Sequence, residues 1–267
     1  MFRPSTGESC MAFRPDNSVR PGVWGAADTA SMDAGLRAYM LRVFNWMASG
    51  VALTGIVAYA IAHTSLMNAF YHPVMTEQGV SIQPTALAFI SMISPLAFVL
   101  VLSFGINRLS LGTVQALFWL LCVAMGASLT NIFLVYTNAS IVQTFFVSAA
   151  TFAAMSLYGY TTRSDLTRFG SFLMMGLIGI VIASVVNMFV HSGMMGFVIS
   201  VIGVLVFTGL TAYDTQRIKV DYAQFATQGG SDFAARRSVF DALQLYLNFI
   251  NLFMMLLRLL GNRASND

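Results

Sequence analysis

Six apolar stretches, 39–62, 85–106, 112–136, 140–161, 169–190 and 194–213, run almost without interruption, and a seventh extends from Val239 to Leu260. Each is long enough to cross a bilayer, for which about 20 residues suffice. None alternates with the period of two that barrel strands need, and in hydrocarbon every backbone amide must be bonded internally, so each is predicted to be a helix. The expected fold is all-α, a polytopic membrane helical bundle. The seventh segment differs from the others. Asp241, Gln244, Asn248, Asn251 and Arg258 follow one another at offsets of three, four, three and seven residues, one polar stripe on an otherwise apolar helix. Turned to lipid, that stripe would carry a heavy desolvation cost; it is expected to face protein, water or an ion path.

Composition agrees with the pattern. With 57% hydrophobic and 9% charged residues, and a mean hydropathy of +0.72, the chain has too little polar surface to coat a soluble domain. Its Lys and Arg residues are one-sided: Arg3, Arg14, Arg20, Arg37, Arg42, Arg108, Arg163, Arg168, Arg217, Lys219, Arg236 and Arg237 all fall on alternate sides of the spans. The opposite loops, 63–84, 137–139 and 191–193, hold no Lys or Arg and all three histidines. The bias predicts a cytoplasmic amino terminus. The net charge of +3 then reflects loops beside anionic lipid, and nucleic acid is not an expected partner. A full crossing of the seventh segment places Arg258 and Arg263 toward the outer side, against the bias; its length still favours a crossing over a re-entrant course. The expected division is a flexible cytoplasmic tail over 1–37, whose Trp24 is a candidate interface anchor, a seven-helix transmembrane domain over 38–261 and a short tail over 262–267. Residues 214–238 are read as the longest cytoplasmic loop, and the first span as its own insertion signal. Short loops and no organellar targeting features point to a bacterial inner membrane. Ala149, Ala150, Ala153, Ala154, Gly176, Gly179, Gly196 and Gly203 are expected where helices approach closely.

Asp214 lies where the sixth stretch turns polar, in the run Thr211-Ala212-Tyr213-Asp214-Thr215-Gln216-Arg217-Ile218-Lys219. It reads either as a solvated carboxylate at a helix end or as a partner of the stripe at a gate or ion site. Asn248 and Asn251 sit at mid-membrane depth, where amides need partners: interhelical glue on one reading, an ion path on the other. Asp241 and Gln244 are expected near the cytoplasmic interface in a structural role, and Arg258 either snorkels to the far interface or forms a buried pair. His63, His72 and His191 lack metal-site spacing, though they could tune a response to external pH. Cys10 and Cys122 are too far apart in environment for a bridge. Paired aspartates in a membrane raise an aspartyl protease, but the Gly-x-Gly-Asp run of such enzymes is replaced here by Val239-Phe240-Asp241, and no serine, zinc or P-loop motif appears. No enzyme and no cofactor is expected.

The run Tyr213-Asp214-Thr215-Gln216, then Leu245-Tyr246-Leu247-Asn248-Phe249-Ile250-Asn251-Leu252-Phe253 and Leu256-Leu257-Arg258, resembles the Bax inhibitor family of transmembrane proteins; the likeness includes Leu41-Arg42-Val43-Phe44 and covers 36–261. The resemblance implies six helices wrapped around a central seventh and a slow, pH-gated calcium leak. It also implies a latch between an Asp at the position of Asp214 and an Asp on the last helix, whose place is taken here by Asn248. An Arg of the family's second helix, implicated in the latch, lies near Arg108. Two carboxylates can share a proton near neutrality, whereas an amide adds no charge, so an Asp214–Asn248 pair is expected to be less pH-responsive and to keep its hydrogen bond when Asp214 is ionised.

Two functions lead, ahead of proton-coupled transport, for which no broken-helix repeat is visible. The first is a leak for calcium or another cation, with Asp214, Asn248, Asp241, Asn251, Arg258 and Arg108 as candidate gate and path residues and Asp214 as a weak, transient calcium ligand. The second is a non-conducting modulator that binds a membrane-bound ATP-dependent protease, as some bacterial members of the family do.

Overall fold

The computed structural model describes residues 22–76, 79–105, 109–225 and 231–264. In chain order its elements are α1 (Gly22–Ala62), α2 (Met67–Phe70), β1 (Tyr71–Thr76), β2 (Gly79–Pro84), α3 (Ala86–Gly105), α4 (Leu111–Leu129), α5 (Ile132–Val135), α6 (Asn138–Thr161), α7 (Thr167–Val190), α8 (Gly193–Phe225) and α9 (Ser231–Leu260). Seven of these helices are long and apolar enough to cross a membrane. They are the seven read from the hydrophobic pattern. The antiparallel hairpin of β1 and β2, with Tyr71 opposite Pro84 and Thr76 opposite Gly79, lies within the loop expected over 63–84.

α9 is the hub. It packs on α1, α4, α6 and α8, while α3 packs on α4 and α7 on α8. In its most apolar stretch 56% of residues are buried, against 11–33% in the six other spanning helices. Val239, Ala242, Leu243, Leu245, Tyr246, Leu252 and Leu257 are all sealed from the surface. The outer helices instead turn Phe104, Phe146, Phe172, Met175 and Phe189 outward, as a lipid-facing surface requires. α9 runs the full depth of the bundle. Beyond its carboxyl end, Asn262 accepts a hydrogen bond from the Thr137 amide (3.1 Å) and donates its own amide to Ser140 Oγ (2.9 Å), while the Ala264 amide bonds to the Val135 carbonyl (3.0 Å). This fixes the end of α9 against the α5–α6 turn, at the end of the bundle whose loops 63–84, 137–139 and 191–193 hold no Lys or Arg, so Arg258 and Arg263 lie on that side against the charge bias.

Two expectations about loops are corrected. Residues 214–238 are not a loop: α8 continues to Phe225 and α9 begins at Ser231. The stretch is polar, but Ile218, Tyr222 and Phe225 recur with helical spacing, Ile218 is buried, and the rings of Tyr222 and Phe225 pack on Tyr39 of α1 at 5.0 and 5.5 Å between centroids. With 33 residues, α8 is about 50 Å long, well beyond the hydrocarbon thickness of about 30 Å. Asp214 therefore sits inside a long helix and not at its end. Likewise α1 starts at Gly22, inside the segment read as a tail, where the side chain of Trp24 lies outside the described residues.

The small-residue positions divide. Gly176 and Gly203 meet Val206 and Met255, and Gly196 meets Asn187, but nothing lies near Gly179, and Ala150, Ala153 and Ala154 are exposed. The packing face of α6 is built from Thr144, Ser148, Phe152, Ser156 and Gly159, a period of about four. Its closest approach is at Gly159, where any Cβ would collide with the backbone of Ala212 in α8.

Candidate functional site

Polar contacts concentrate on the half of α9 nearest the Lys- and Arg-rich end. On α8, Thr211 and Thr215 donate their hydroxyls back to the carbonyls of Phe207 and Thr211, both at 2.8 Å, so their hydroxyl protons are spent within the helix. Asp214, 8% exposed, reaches across to α9 instead. Its Oδ2 accepts a hydrogen bond from Asn248 Nδ2 at 2.7 Å, and its Oδ1 pairs with Arg217 Nη2 at 3.1 Å, one turn along the same helix. Arg217 in turn donates to Gln244 Oε1, one turn before Asn248. Asp214 and Arg217 on α8 are thus clamped to Asn248 and Gln244 on α9. The carboxylate accepts a hydrogen bond at Oδ2 and is paired by charge at Oδ1, an arrangement that suits its ionised form.

A second assembly lies two turns nearer the amino end of α9. Asp241, completely buried, accepts the Tyr39 hydroxyl at Oδ2 (2.6 Å) and faces Arg237 Nε at Oδ1 (3.2 Å). The Arg237–Asp241 contact is close, but its N–H is poorly aimed, and neither atom has a hydrogen-bond partner; the attraction between them is Coulombic. Arg237 donates from Nη2 to Asp221 of α8 at 2.7 Å. The relay Asp221–Arg237–Asp241–Tyr39 therefore ties α8, α9 and α1 together. Tyr39, Asp221 and Arg237 were not candidates from sequence, and neither was Arg217 as a clamp residue. The spacing of Asp214 and Arg217 was a legible signal, being an i,i+3 pair of opposite charge. The Tyr39 contact, across 202 residues, left none.

The rest of the motif around Asp214 is structural. Gln216 accepts from the Leu166 amide (2.9 Å) and donates to the Ser164 carbonyl (2.7 Å), and Lys219 donates to the Tyr160 carbonyl (2.9 Å), fastening the α6–α7 turn to α8. The ring of Tyr213 lies against Gly170 of α7. Deeper in the bundle Thr54 bonds the Tyr246 hydroxyl (2.8 Å) and the Cys122 carbonyl (3.0 Å).

The stripe does not hold together along its length. Asn251 is half-buried with no hydrogen-bond partner among the described residues, and Arg258 is exposed. Seventeen residues separate Asp241 from Arg258; at 3.6 residues per turn the stripe slips about 100° short of five full turns, enough to carry Arg258 off the buried face. Arg108 lies outside the described residues. His63 and His191 are exposed, His63 stacked on Tyr59 and His191 capping α7 in a left-handed conformation (φ 54°). Among the described residues, no three His, Cys, Asp or Glu side chains gather as a metal site. Both oxygens of Asp214 are engaged by Asn248 and Arg217, so a cation could be bound there only after Arg217 withdraws.

The comparisons with known proteins agree on one family. The family model described as "Inhibitor of apoptosis-promoting Bax1" matches residues 36–265. The inner membrane protein YbhL of Escherichia coli K12 is 46% identical over 231 residues, 86% of this chain and 94% of its own length. RP147 of Rickettsia prowazekii is 43% identical over 88% of this chain and 94% of its own length. A membrane protein of Streptococcus pyogenes is 34% identical over 86% and 94%. The chain, with seven spanning helices and a polar clamp on the innermost, belongs to the Bax inhibitor family.

Proposed function

We propose that the protein is a leak pathway for calcium or another cation in a bacterial inner membrane, closed by the Asp214–Asn248 clamp at its Lys- and Arg-rich end, and that this end is cytoplasmic. The observation that carries the proposal is the 2.7 Å bond from Asn248 to Asp214, with Arg217 on the other carboxylate oxygen, at the contact between the central helix and α8. A charge-assisted hydrogen bond contributes about 1.5–3 kcal/mol, enough to hold a two-state contact mostly shut. Opening parts α8 from α9 at this level and turns an acidic oxygen toward the path, where a hard cation finds a weak, transient ligand. Location in the inner membrane follows the description of the E. coli relative and the one-sided distribution of Lys and Arg.

The sign of the pH effect follows from the clamp. Protonation of Asp214 removes the attraction for Arg217 and leaves one oxygen as a donor, so acid loosens the closure. An amide partner shares no proton with Asp214, so the response is shallower than that of a carboxylate pair. The test is calcium entry into dye-loaded liposomes of checked orientation. Asp214→Asn is expected to leak faster than the parent at neutral pH; if neither exceeds empty liposomes, the leak reading fails.

The alternative is a non-conducting modulator of a membrane-bound ATP-dependent protease. It is favoured by the projection of α8 and α9 beyond the apolar spans, where Val220 and Phe233 are exposed. Deleting residues 1–21, which precede α1, together with Phe233→Ser would abolish protease association on that reading and leave the leak intact on the first.

A further inference from the structure

α1 and α6 both pack on α9, and a crevice of about 680 Å³ opens between them in the half of the bundle nearest the Lys- and Arg-rich end. Its walls are apolar: Met40, Phe44 and Met47 on one side, Phe152, Ala153 and Leu157 on the other. Two polar features interrupt them. Arg37 stands exposed at the mouth beside Tyr160 and makes no ion pair among the described residues. Ser156 lines the crevice one turn further in, is 5% exposed, and its hydroxyl has no hydrogen-bond partner. The neighbouring hydroxyls of the same helix behave differently. Ser148, Thr151 and Thr161 each donate to the carbonyl four residues earlier, at 2.8, 2.9 and 2.7 Å. An unspent hydroxyl buried beside an apolar crevice is costly unless a ligand meets it.

We infer that the α1–α6 crevice is a binding site for one anionic phospholipid of the leaflet at the Lys- and Arg-rich end, with its phosphate on Arg37, an ester carbonyl accepting the Ser156 hydroxyl, and an acyl chain along Phe44, Met47 and Phe152. The dimensions fit. From Arg37 to Ala48 the α1 wall runs eleven residues, about 16 Å, close to half of the roughly 30 Å hydrocarbon core and so to one leaflet's chain. The charge fits as well, because an unpaired guanidinium at the membrane surface matches a phosphate, and anionic headgroups concentrate at a basic leaflet face. A polar atom one turn below the mouth is where a glycerol ester sits relative to its phosphate. The site does not depend on the leak reading.

The test uses the full chain in nanodiscs containing either phosphatidylglycerol or phosphatidylcholine with a photoreactive group in the acyl chain, followed by mapping of labelled residues. On α7, Phe172, Met175 and Phe189 face lipid openly and report ordinary contact. Phosphatidylglycerol is expected to label Phe44, Met47 and Phe152 about ten-fold above those α7 positions, with phosphatidylcholine well below it. Arg37→Gln should erase the headgroup preference, Ser156→Ala should weaken labelling, and Ala153→Trp should block it. Labelling no higher than on α7, equal labelling by the two lipids, or a protein helix cross-linked in the crevice in place of lipid would overturn the inference. The map of the parent protein decides the matter even if the tryptophan variant fails to insert.

Discussion

Asp214 and Asp241 are two carboxylates drawn into the same bundle and held in opposite ways. Asp214 keeps 8% of its surface, binds an amide of the central helix, and is paired with an arginine whose side chain is 30% exposed. Asp241 keeps none, accepts a phenol from α1, and shares Arg237 with Asp221 of α8. One contact joins two helices through a carboxylate that keeps some surface and an arginine that also holds Gln244. The other joins three helices, and each member fixes the next. A contact of the first kind can serve as a gate, because breaking it leaves Arg217 a way to solvent. A contact of the second kind is a fastener: Arg237 is 28% exposed, much like Arg217, but the Asp241 carboxylate it faces is sealed and has no way to water once its partners leave.

Asp241→Ala should have the largest effect, because it leaves the Tyr39 hydroxyl without its acceptor and Arg237 with Asp221 alone. A loss of about 3–5 kcal/mol is expected in detergent unfolding, clearly more than for Asp214→Ala; equal losses would mean that the two sites do not differ in kind. Tyr39→Phe removes one hydrogen bond to a charged group and should cost about 1.5–3 kcal/mol without changing the leak. A leak that rises with Tyr39→Phe would make the Asp241 relay part of the gate. Asp214→Asn keeps the volume and a possible hydrogen bond but frees Arg217, so a leak roughly ten-fold above the parent at neutral pH is expected alongside a small stability change. The smallest effect is assigned to Arg258→Gln. Its side chain is exposed, and a change within about 0.5 kcal/mol, with unaltered flux, would separate the lower stripe from the gate.

Much of the fold was legible because apolar length is a one-dimensional signal. The seven spans and the special status of the last one could be read from residue type and spacing alone. The polar extension of α8 was misread because polarity hid the helical recurrence of Ile218, Tyr222 and Phe225, whose partner Tyr39 lies far away in sequence. The pairing of Asp214 with Asn248 was reachable through the family motif, and the structure places the two side chains in contact. Tyr39 was not reachable, since burial of Asp241 depends on how α1 crosses α9, whereas Arg237 and Asp241 are an i,i+4 pair of opposite charge whose spacing was there to be read. Alanines were expected at helix contacts because they are small, yet on α6 the contact face carries Thr144, Ser148 and Gly159 while Ala150, Ala153 and Ala154 face outward. Size permits an approach; the direction of the face decides whether it is used.

The most direct test of the clamp is the pH dependence of calcium flux in Asn248→Asp against the parent, over about pH 5–8 in oriented liposomes. The substitution turns the amide–carboxylate contact into a carboxylate pair at the same place. If the clamp closes the path, the variant should show a steeper pH response near neutrality than the parent, whose curve stays shallow. Parallel curves for the two proteins would contradict the claim that the contact between Asp214 and residue 248 controls the leak.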